Sequence, residues 1–235
     1  MTLNLMSTLA VEVALKRNLL PSFIETTGIA LDVSWNPTKV IMQRIADGRR
    51  ADALVLIDKS MAELVEKGIV VADSVRPIAT AKIGIAMARG ADRPAIESVD
   101  EFKGALLKAR SVAYSRAGAS GIYFADLIER LGIADAVNEK ATVIPEGFTA
   151  RQIVEGKADL AIQQISELMS VEDVDILGPL PADVQSGTDF SVAIFADAEH
   201  AREAARLVQH LTSPEAARAY EASGLTSRLS NAPAN

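Results

Sequence analysis

The chain has 235 residues and a formal net charge of −7 at pH 7, and 49% of its residues are hydrophobic but only 4% aromatic. This length allows one or two domains with a sizeable core, and no basic cluster stands out, so a nucleic-acid partner is not expected. The sequence contains no cysteine, which excludes disulfides, thiolate catalysis and cysteine-based metal sites.

Three β-α units follow one another at the start of the chain. Apolar runs predict strands at residues 3–6, 29–35 and 53–57, each followed by a helix of apolar periodicity. In an open α/β sheet, ligands bind at the carboxyl ends of the strands. The polar side chains expected there are Ser7, Thr8, Asn36, Thr38 and Asp58. Each of them has an alternative interpretation as the N-cap of the next helix.

The pattern then changes to extended segments at residues 75–80 and 82–88, with no helix between them. Ser98 and Glu101 have the spacing of a capping box and predict a helix that carries Phe102 and Leu106. A short strand at 111–114 comes next, and apolar periodicity predicts a helix from about Ile122 to Arg130.

The loop between that strand and that helix has the composition of an anion site. It is rich in small residues, so backbone N–H groups can converge where the helix dipole adds a partial positive charge. Arg116 adds a full charge and a planar fork that suits a carboxylate. The candidate ligand-binding residues of the loop are Ser115, Arg116, Gly118, Ala119, Ser120 and Gly121. The alternative is an ordinary helix start capped by Ser115 or Ser120.

The rest of the chain continues the α/β pattern. Strands are predicted at 142–144, 158–162, 174–177 and 190–195, and helices at 147–155, 165–169, 198–211 and 214–223. Gln163 and Gln164 follow one of the buried strands and join the candidate ligand-binding residues. His200 and His210 fall in the late amphipathic helix and are predicted to be solvated surface residues.

These segments form two α/β blocks joined by two return segments. We therefore predict two lobes, residues 1–80 with 189–235 and residues 81–188, between which the chain crosses twice. A ligand is expected in the cleft where strand ends from both lobes would meet.

The order of elements resembles the type II periplasmic solute-binding proteins, and among them the molybdate-binding-protein-like group. The resemblance covers nearly the whole chain. It is carried by residues 45–56, 115–121, 131–133, 156–161 and 211–217.

In that family, neutral donors from loops at the strand ends hold an anion, and a closing motion of the lobes accompanies binding. The resemblance assigns this role to the loops at 7–8, 36–38, 115–121 and 163–164. Gln163 and Gln164 stand where molybdate binders often present a tyrosine, and the first two loops lack the usual serines, so a larger carboxylate fits at least as well as molybdate. No cofactor and no metal are implied.

Two functions remain in competition at this point. The first is a solute-binding protein of an ABC transporter, in which a monomer closes on a small anion and delivers it to a permease. The second is an isomerase of an unsaturated tricarboxylate, because residues 163–167 and the turn at 178–181 resemble an aconitate-isomerase-like subgroup. Its general base would be Asp58, Glu167 or Tyr123, each of which can instead be a surface or packing residue. A cytoplasmic sensor with the same fold ranks third.

The sequence also gives an expectation for location. No apolar run approaches the ~20 residues of a membrane span, so membrane insertion is not expected. The sequence as written has no signal peptide, which predicts a cytoplasmic protein, or a periplasmic one if a signal has been removed.

Overall fold

The computed structural model describes residues 1–229. Its strands are β1 (Thr2–Ser7), β2 (Ala30–Trp35), β3 (Ala53–Ile57), β4 (Arg76–Ala88), β5 (Val112–Ser115), β6 (Thr142–Ile144), β7 (Leu160–Gln164), β8 (Val174–Pro179), β9 (Gly187–Ile194) and β10 (Leu225–Ser227). Its α-helices are α1 (Glu12–Ala14), α2 (Leu20–Thr27), α3 (Thr38–Ala46), α4 (Asp58–Glu66), α5 (Val99–Lys108), α6 (Ala119–Arg130), α7 (Ala134–Asn138), α8 (Arg151–Val154), α9 (Ile165–Leu168), α10 (Ala201–Leu211) and α11 (Pro214–Ala222). A π-helical turn, Leu15–Leu19, joins α1 to α2.

The chain divides into two compact units. The first unit contains Met1–Ala81 and the chain from Thr188 onward, and the second contains Lys82–Gly187. The chain therefore leaves the first unit within β4 and re-enters it within β9.

The first unit is built on a sheet with the order β2-β1-β3-β9-β4, and β10 pairs with the first half of β4. Strands β1, β2 and β3 are parallel, whereas β9 runs antiparallel to β3. All residues of β3 except the last are fully buried, because helices cover both faces of the sheet. The parallel order brings the ends of β1, β2 and β3 to one edge.

The second unit has a smaller sheet in which β5 lies between β6 and β7 and is parallel to both. The second half of β4 pairs antiparallel with β7 on one side and with β8 on the other. The largest core of this unit contains Phe102 and Phe124, from α5 and α6. Strands β5, β6 and β7 all end at the same edge of their sheet.

Several predicted segments need correction. The extended segments at 75–80 and 82–88 form one continuous strand, β4, because an antiparallel partner lies beside each half. The helix predicted at 147–155 is only Arg151–Val154. Thr149, before it, donates its N–H to Gln163 and its hydroxyl to Ile162 O, and these contacts with β7 replace helical hydrogen bonds. Helix α6 begins at Ala119, three residues earlier than apolar periodicity predicted.

The prediction that both histidines are solvated is also wrong, because both are half-buried. His210 Nε2 lies 2.9 Å from Leu19 O and 3.0 Å from Ser22 Oγ. His200 donates its backbone N–H to Asp52, a carboxylate that is only 1% exposed and also accepts from the Asn4 N–H. These contacts tie the late helix α10 to the first unit's core.

Two further features concern the described part of the chain. No helix within residues 1–229 is long and apolar enough to cross a lipid bilayer. The same residues contain no group of three or more histidine, aspartate or glutamate side chains placed to hold a metal ion.

Candidate functional site

The loop that follows β5 lies at the edge of the second unit where the three parallel strands end. Extending the β5–β7 register places Ser115 beside Gln163, and Ser115 pairs directly with Ile144 of β6. The N–H of Arg116 donates to Ile144 O at 2.8 Å, so the chain stays attached to β6 for one residue beyond the strand.

The loop then turns sharply into α6. Ser115 Oγ accepts a hydrogen bond from the Gly118 N–H at 3.1 Å, which closes a short turn. Gly118 is the N-cap of α6, and neither Ser115 nor Ser120 caps the helix through its side chain as the alternative interpretation required. The Ser115 hydroxyl hydrogen remains available, since in this turn the oxygen only accepts.

Gly121 is required by the closeness of the helix start to the strand end. A Cβ at this position would lie 1.7 Å from Ser115 O and 3.0 Å from Ser115 Oγ. Gly118 has a similar constraint, because its Cβ would lie 2.5 Å from Ser115 Oγ. The two glycines therefore allow the first turn of α6 to sit directly against the end of β5.

This geometry leaves N–H donors at the loop that have no backbone acceptor among residues 1–229. The N–H groups of Ala119, Ser120 and Gly121 are in the first helical turn, where no intrahelical acceptor exists. Helix α6 is 12 residues long, so its dipole adds partial positive charge at the same point. The exposed Arg116 supplies a full charge beside them. The arrangement suits an anion, and the guanidinium favours a carboxylate or a phosphate.

A cavity of about 240 Å³ adjoins this loop within the second unit. Its apolar wall contains Ile122, Ala125 and Val143, and the charged side chains that line it are Arg116 and Asp126. Tyr114 lines the cavity as well. Burial raises the pKa of its phenol, and the nearby Arg116 charge acts in the opposite direction by lowering that pKa. The cavity can therefore hold the carbon part of a ligand whose charged group contacts Arg116.

The two glutamines of the predicted site, Gln163 and Gln164, have different surroundings. Gln163 accepts from the Thr149 N–H at 2.8 Å and donates to Gly147 O at 3.0 Å, so its amide fastens the 147–149 segment. Gln164 is also buried and points to the opposite face of β7. Ser166, two residues later, has a buried hydroxyl for which residues 1–229 provide no hydrogen-bond partner.

The first unit presents a second group of predicted residues where β1 ends. Ser7 and Thr8 are buried, and the Thr8 N–H donates to Val55 O at 3.3 Å. The Thr8 hydroxyl is buried without a partner among residues 1–229, and it makes no capping bond to the following turn. An unpaired buried hydroxyl costs stability unless something else bonds it, so Thr8 is the strongest candidate in this unit.

Asn36 and Thr38 lie beside this point, after β2. The Asn36 N–H donates to Ser7 O at 3.1 Å, which holds the loop against the end of β1. Pro37 is the N-cap of α3, and no side chain caps that helix. Trp35, the single tryptophan of the sequence, ends β2 next to Asn36 and packs against the Lys16 ammonium.

Asp58 is the first residue of α4, and its carboxylate does not cap that helix. One oxygen accepts from Ser191 Oγ at 2.6 Å and the other accepts from Arg228 Nη1 at 2.8 Å. These partners lie 133 and 170 residues away in the chain, so no local pattern around Asp58 indicates them.

The other candidate bases belong to the second unit. The Tyr123 hydroxyl donates to Val184 O at 3.0 Å, and the ring lies 5.5 Å from the Arg130 guanidinium. Glu167 is half-buried in the first turn of α9.

A second cavity, of about 570 Å³, lies within the first unit. Arg44, Arg49 and Arg50 line it together with Asp32 and Asp47. Arg50 is already bonded to the Ile45 and Arg49 carbonyls, and the two aspartates offset much of the positive charge.

Comparison with known proteins extends these observations. A family model described as bacterial extracellular solute-binding protein matches residues 3–226. An aconitate isomerase from Pseudomonas sp is 34% identical over 215 residues, which cover 89% of this chain and 82% of that protein.

Among solved structures, the periplasmic molybdate-binding protein of Azotobacter vinelandii superposes with a TM-score of 0.77 at 18% identity, covering 95% of this chain and 98% of that one. The L-phospholactate-bound PEB3 of Campylobacter jejuni gives a TM-score of 0.68 at 17% identity, with coverages of 95% and 99%. These similarities confirm the predicted fold class, the α/β fold of the type II periplasmic binding proteins.

Proposed function

Because the chain belongs to the bacterial extracellular solute-binding protein family, we propose that it binds a small organic anion with several carboxylates. The observation that carries this proposal is the loop from Ser115 to Gly121. It combines the free N–H groups of a helix start, the Arg116 guanidinium and an adjoining cavity with an apolar wall. Ser7, Thr8, Asn36 and Thr38 of the first unit, and Gln164 of the second, belong to the same proposal as hydrogen-bonding residues. Gln163 would then act indirectly, by fixing the 147–149 segment.

The side chains favour a carboxylate over a bare oxyanion. A tetrahedral oxyanion needs donors alone, whereas an arginine fork beside an apolar cavity also matches the carbon skeleton of an organic acid. The aconitate isomerase relative acts on a tricarboxylate, and PEB3 was solved with a ligand that carries both a carboxylate and a phosphate. Aconitate is therefore the first ligand to test, and molybdate is the natural comparison.

The biological setting follows from the same family. A protein of this kind would deliver its ligand to the permease of an ABC transporter, and the family is described as extracellular. We infer a periplasmic rather than a cytoplasmic location on that ground.

Titration calorimetry with trans-aconitate, citrate, molybdate and sulfate tests the proposal. A few charge-assisted hydrogen bonds, each worth about 1.5–3 kcal/mol, can support micromolar binding of a tricarboxylate. We expect the tricarboxylates to bind more tightly than the inorganic anions. Tighter binding of molybdate or sulfate, or no binding of any carboxylate, would overturn it.

Isomerisation of aconitate is the second candidate function, and the 34% identical relative is the observation that favours it. It requires a base that removes a proton from one carbon while the double bond shifts and another carbon is protonated. Glu167 is the first of the three to test, because it directly follows Ser166, whose buried hydroxyl has no hydrogen-bond partner among residues 1–229.

Proton NMR in deuterium oxide separates binding from isomerisation. An isomerase would incorporate deuterium into aconitate and form the other geometric isomer, and Glu167→Gln should abolish both changes while binding persists. A pure binding protein would return the ligand unchanged. Turnover that Glu167→Gln leaves intact would exclude Glu167 as the base.

A further inference from the structure

Arg228 brings a positive charge to the edge of the first unit where β3 ends. It directly follows β10, whose pairing with β4 fixes the backbone, and its own N–H donates to Ile78 O at 3.0 Å. Its side chain reaches Asp58, the residue after β3, and Nη1 also lies 3.4 Å from Phe190 O. Arg228 thus places a cation at an edge where Ser7, Thr8, Asn36 and Thr38 are neutral and where Asp58, the one predicted carboxylate, is its ion-pair partner.

The guanidinium is held on one side and open on the other. Arginine has five N–H donors. The two N–H groups of Nη1 are used by Asp58 and by Phe190 O. Nε faces Asp189 Oδ1 at 3.9 Å, beyond hydrogen-bond distance, and Nη2 has no hydrogen-bond acceptor among residues 1–229. The side chain is 26% exposed, so it is largely immobilised but remains accessible.

The two neighbouring carboxylates are themselves fixed. Ser191 Oγ donates to Asp58, and Thr80 Oγ1 donates to Asp189 at 2.6 Å. A ligand carboxylate that accepts from Nη2 would leave both fixed carboxylates in place and the Asp58 pair intact. Little side-chain entropy would be lost on binding, because Arg228 is already oriented.

The open side of the Arg228 guanidinium lies near the strand ends of the first unit described above. Strand β3 is the direct neighbour of β1, and the Thr8 N–H donates to Val55 O within that pair. Thr8, with its unpaired buried hydroxyl, and Arg228 therefore lie at neighbouring strand ends of one unit. We infer that Arg228 is a ligand-binding residue that takes one carboxylate of a polycarboxylate ligand, an inference that rests on the proposed function.

The test compares Arg228→Gln with Asp189→Asn, using calorimetry and the fluorescence of Trp35, which reports on the same unit. Arg228→Gln should weaken trans-aconitate binding about 10-fold or more, the value of one lost charge-assisted pair. Asp189→Asn removes a neighbouring carboxylate but keeps the guanidinium and its ion pair with Asp58, so affinity should stay within about 3-fold or improve. Arg228→Lys keeps the charge without the fork and should give an intermediate affinity.

The outcomes separate this inference from the function on which it rests. A wild-type protein that binds no carboxylate would overturn both. Wild-type binding that Arg228→Gln leaves unchanged would overturn the inference alone. Equal losses of affinity and of melting temperature in Arg228→Gln and Asp189→Asn would show that this charged cluster only stabilises the fold, and would overturn the inference too. If Arg228→Gln does not fold, Arg228→Lys decides: wild-type affinity in that variant contradicts the role of the fork.

Discussion

Gly121→Ala is the most informative single change in the candidate loop. The added Cβ would lie 1.7 Å from Ser115 O, about half of an ordinary contact distance, and that oxygen belongs to the backbone. Helix α6 must then move away from the end of β5 by more than an ångström. Overpacking of this kind costs about 1–3 kcal/mol. For a protein of this size such a loss lowers the melting temperature by about 2–12 °C.

Gly104→Ala is the matched control. Gly104 lies inside α5 of the same unit, and a Cβ there has no neighbour within 4 Å. Alanine is favoured over glycine in a helix by about 0.5–1 kcal/mol, so this variant should be slightly more stable than the wild type. Thermal unfolding and aconitate titration of both variants are the assays. Gly121→Ala with wild-type stability and affinity would refute the close contact between α6 and Ser115, and with it the geometry of the anion site.

The other predictions concern the charge, a hydroxyl and the core. Arg116→Ala should weaken trans-aconitate binding about 10-fold or more and molybdate binding much less, as measured by calorimetry. Arg89→Ala, which removes an exposed ion-paired arginine, is the control. Equal losses of affinity for both ligands would exclude Arg116 as a carboxylate clamp. Ser120→Ala should lower affinity without changing the melting temperature, and an unchanged isotherm would place that hydroxyl outside the site. Burial raises the pKa of Tyr220 above its ordinary value of 10.0. The folded protein then keeps this proton while the unfolded chain loses it, so stability is complete below pH 10 and falls above it. Tyr220→Phe should make that fall shallower in denaturant titrations, and an identical fall would assign it to other groups.

The anion loop was predictable in composition but not in its exact geometry. Residues 119–121 are Ala-Ser-Gly, which carry no apolar periodicity, so the pattern began only at Ile122. The helix nevertheless starts at Ala119, because Gly118 and Gly121 let its first turn lie against Ser115. This close approach depends on atoms six residues apart in the chain that only the folded backbone brings together.

Contacts between distant parts of the chain were the main features that the sequence could not supply. Asp58 was identified from its position after a buried strand, yet its partners Ser191 and Arg228 come from β9 and from the residue after β10. Gln163 was identified in the same way, and its amide turned out to fasten Thr149, 14 residues earlier. Local patterns indicate where a strand ends, but they contain no information about which remote side chain will pair with the residue there.

An NMR titration of backbone amides with trans-aconitate tests whether the loop from Ser115 to Gly121 binds the anion. We expect the largest and saturable shift changes at the N–H groups of Ala119, Ser120 and Gly121, since these would donate to the ligand. Saturable shifts confined to the arginine-lined cavity around Arg44, or no saturable shifts at all, would contradict it.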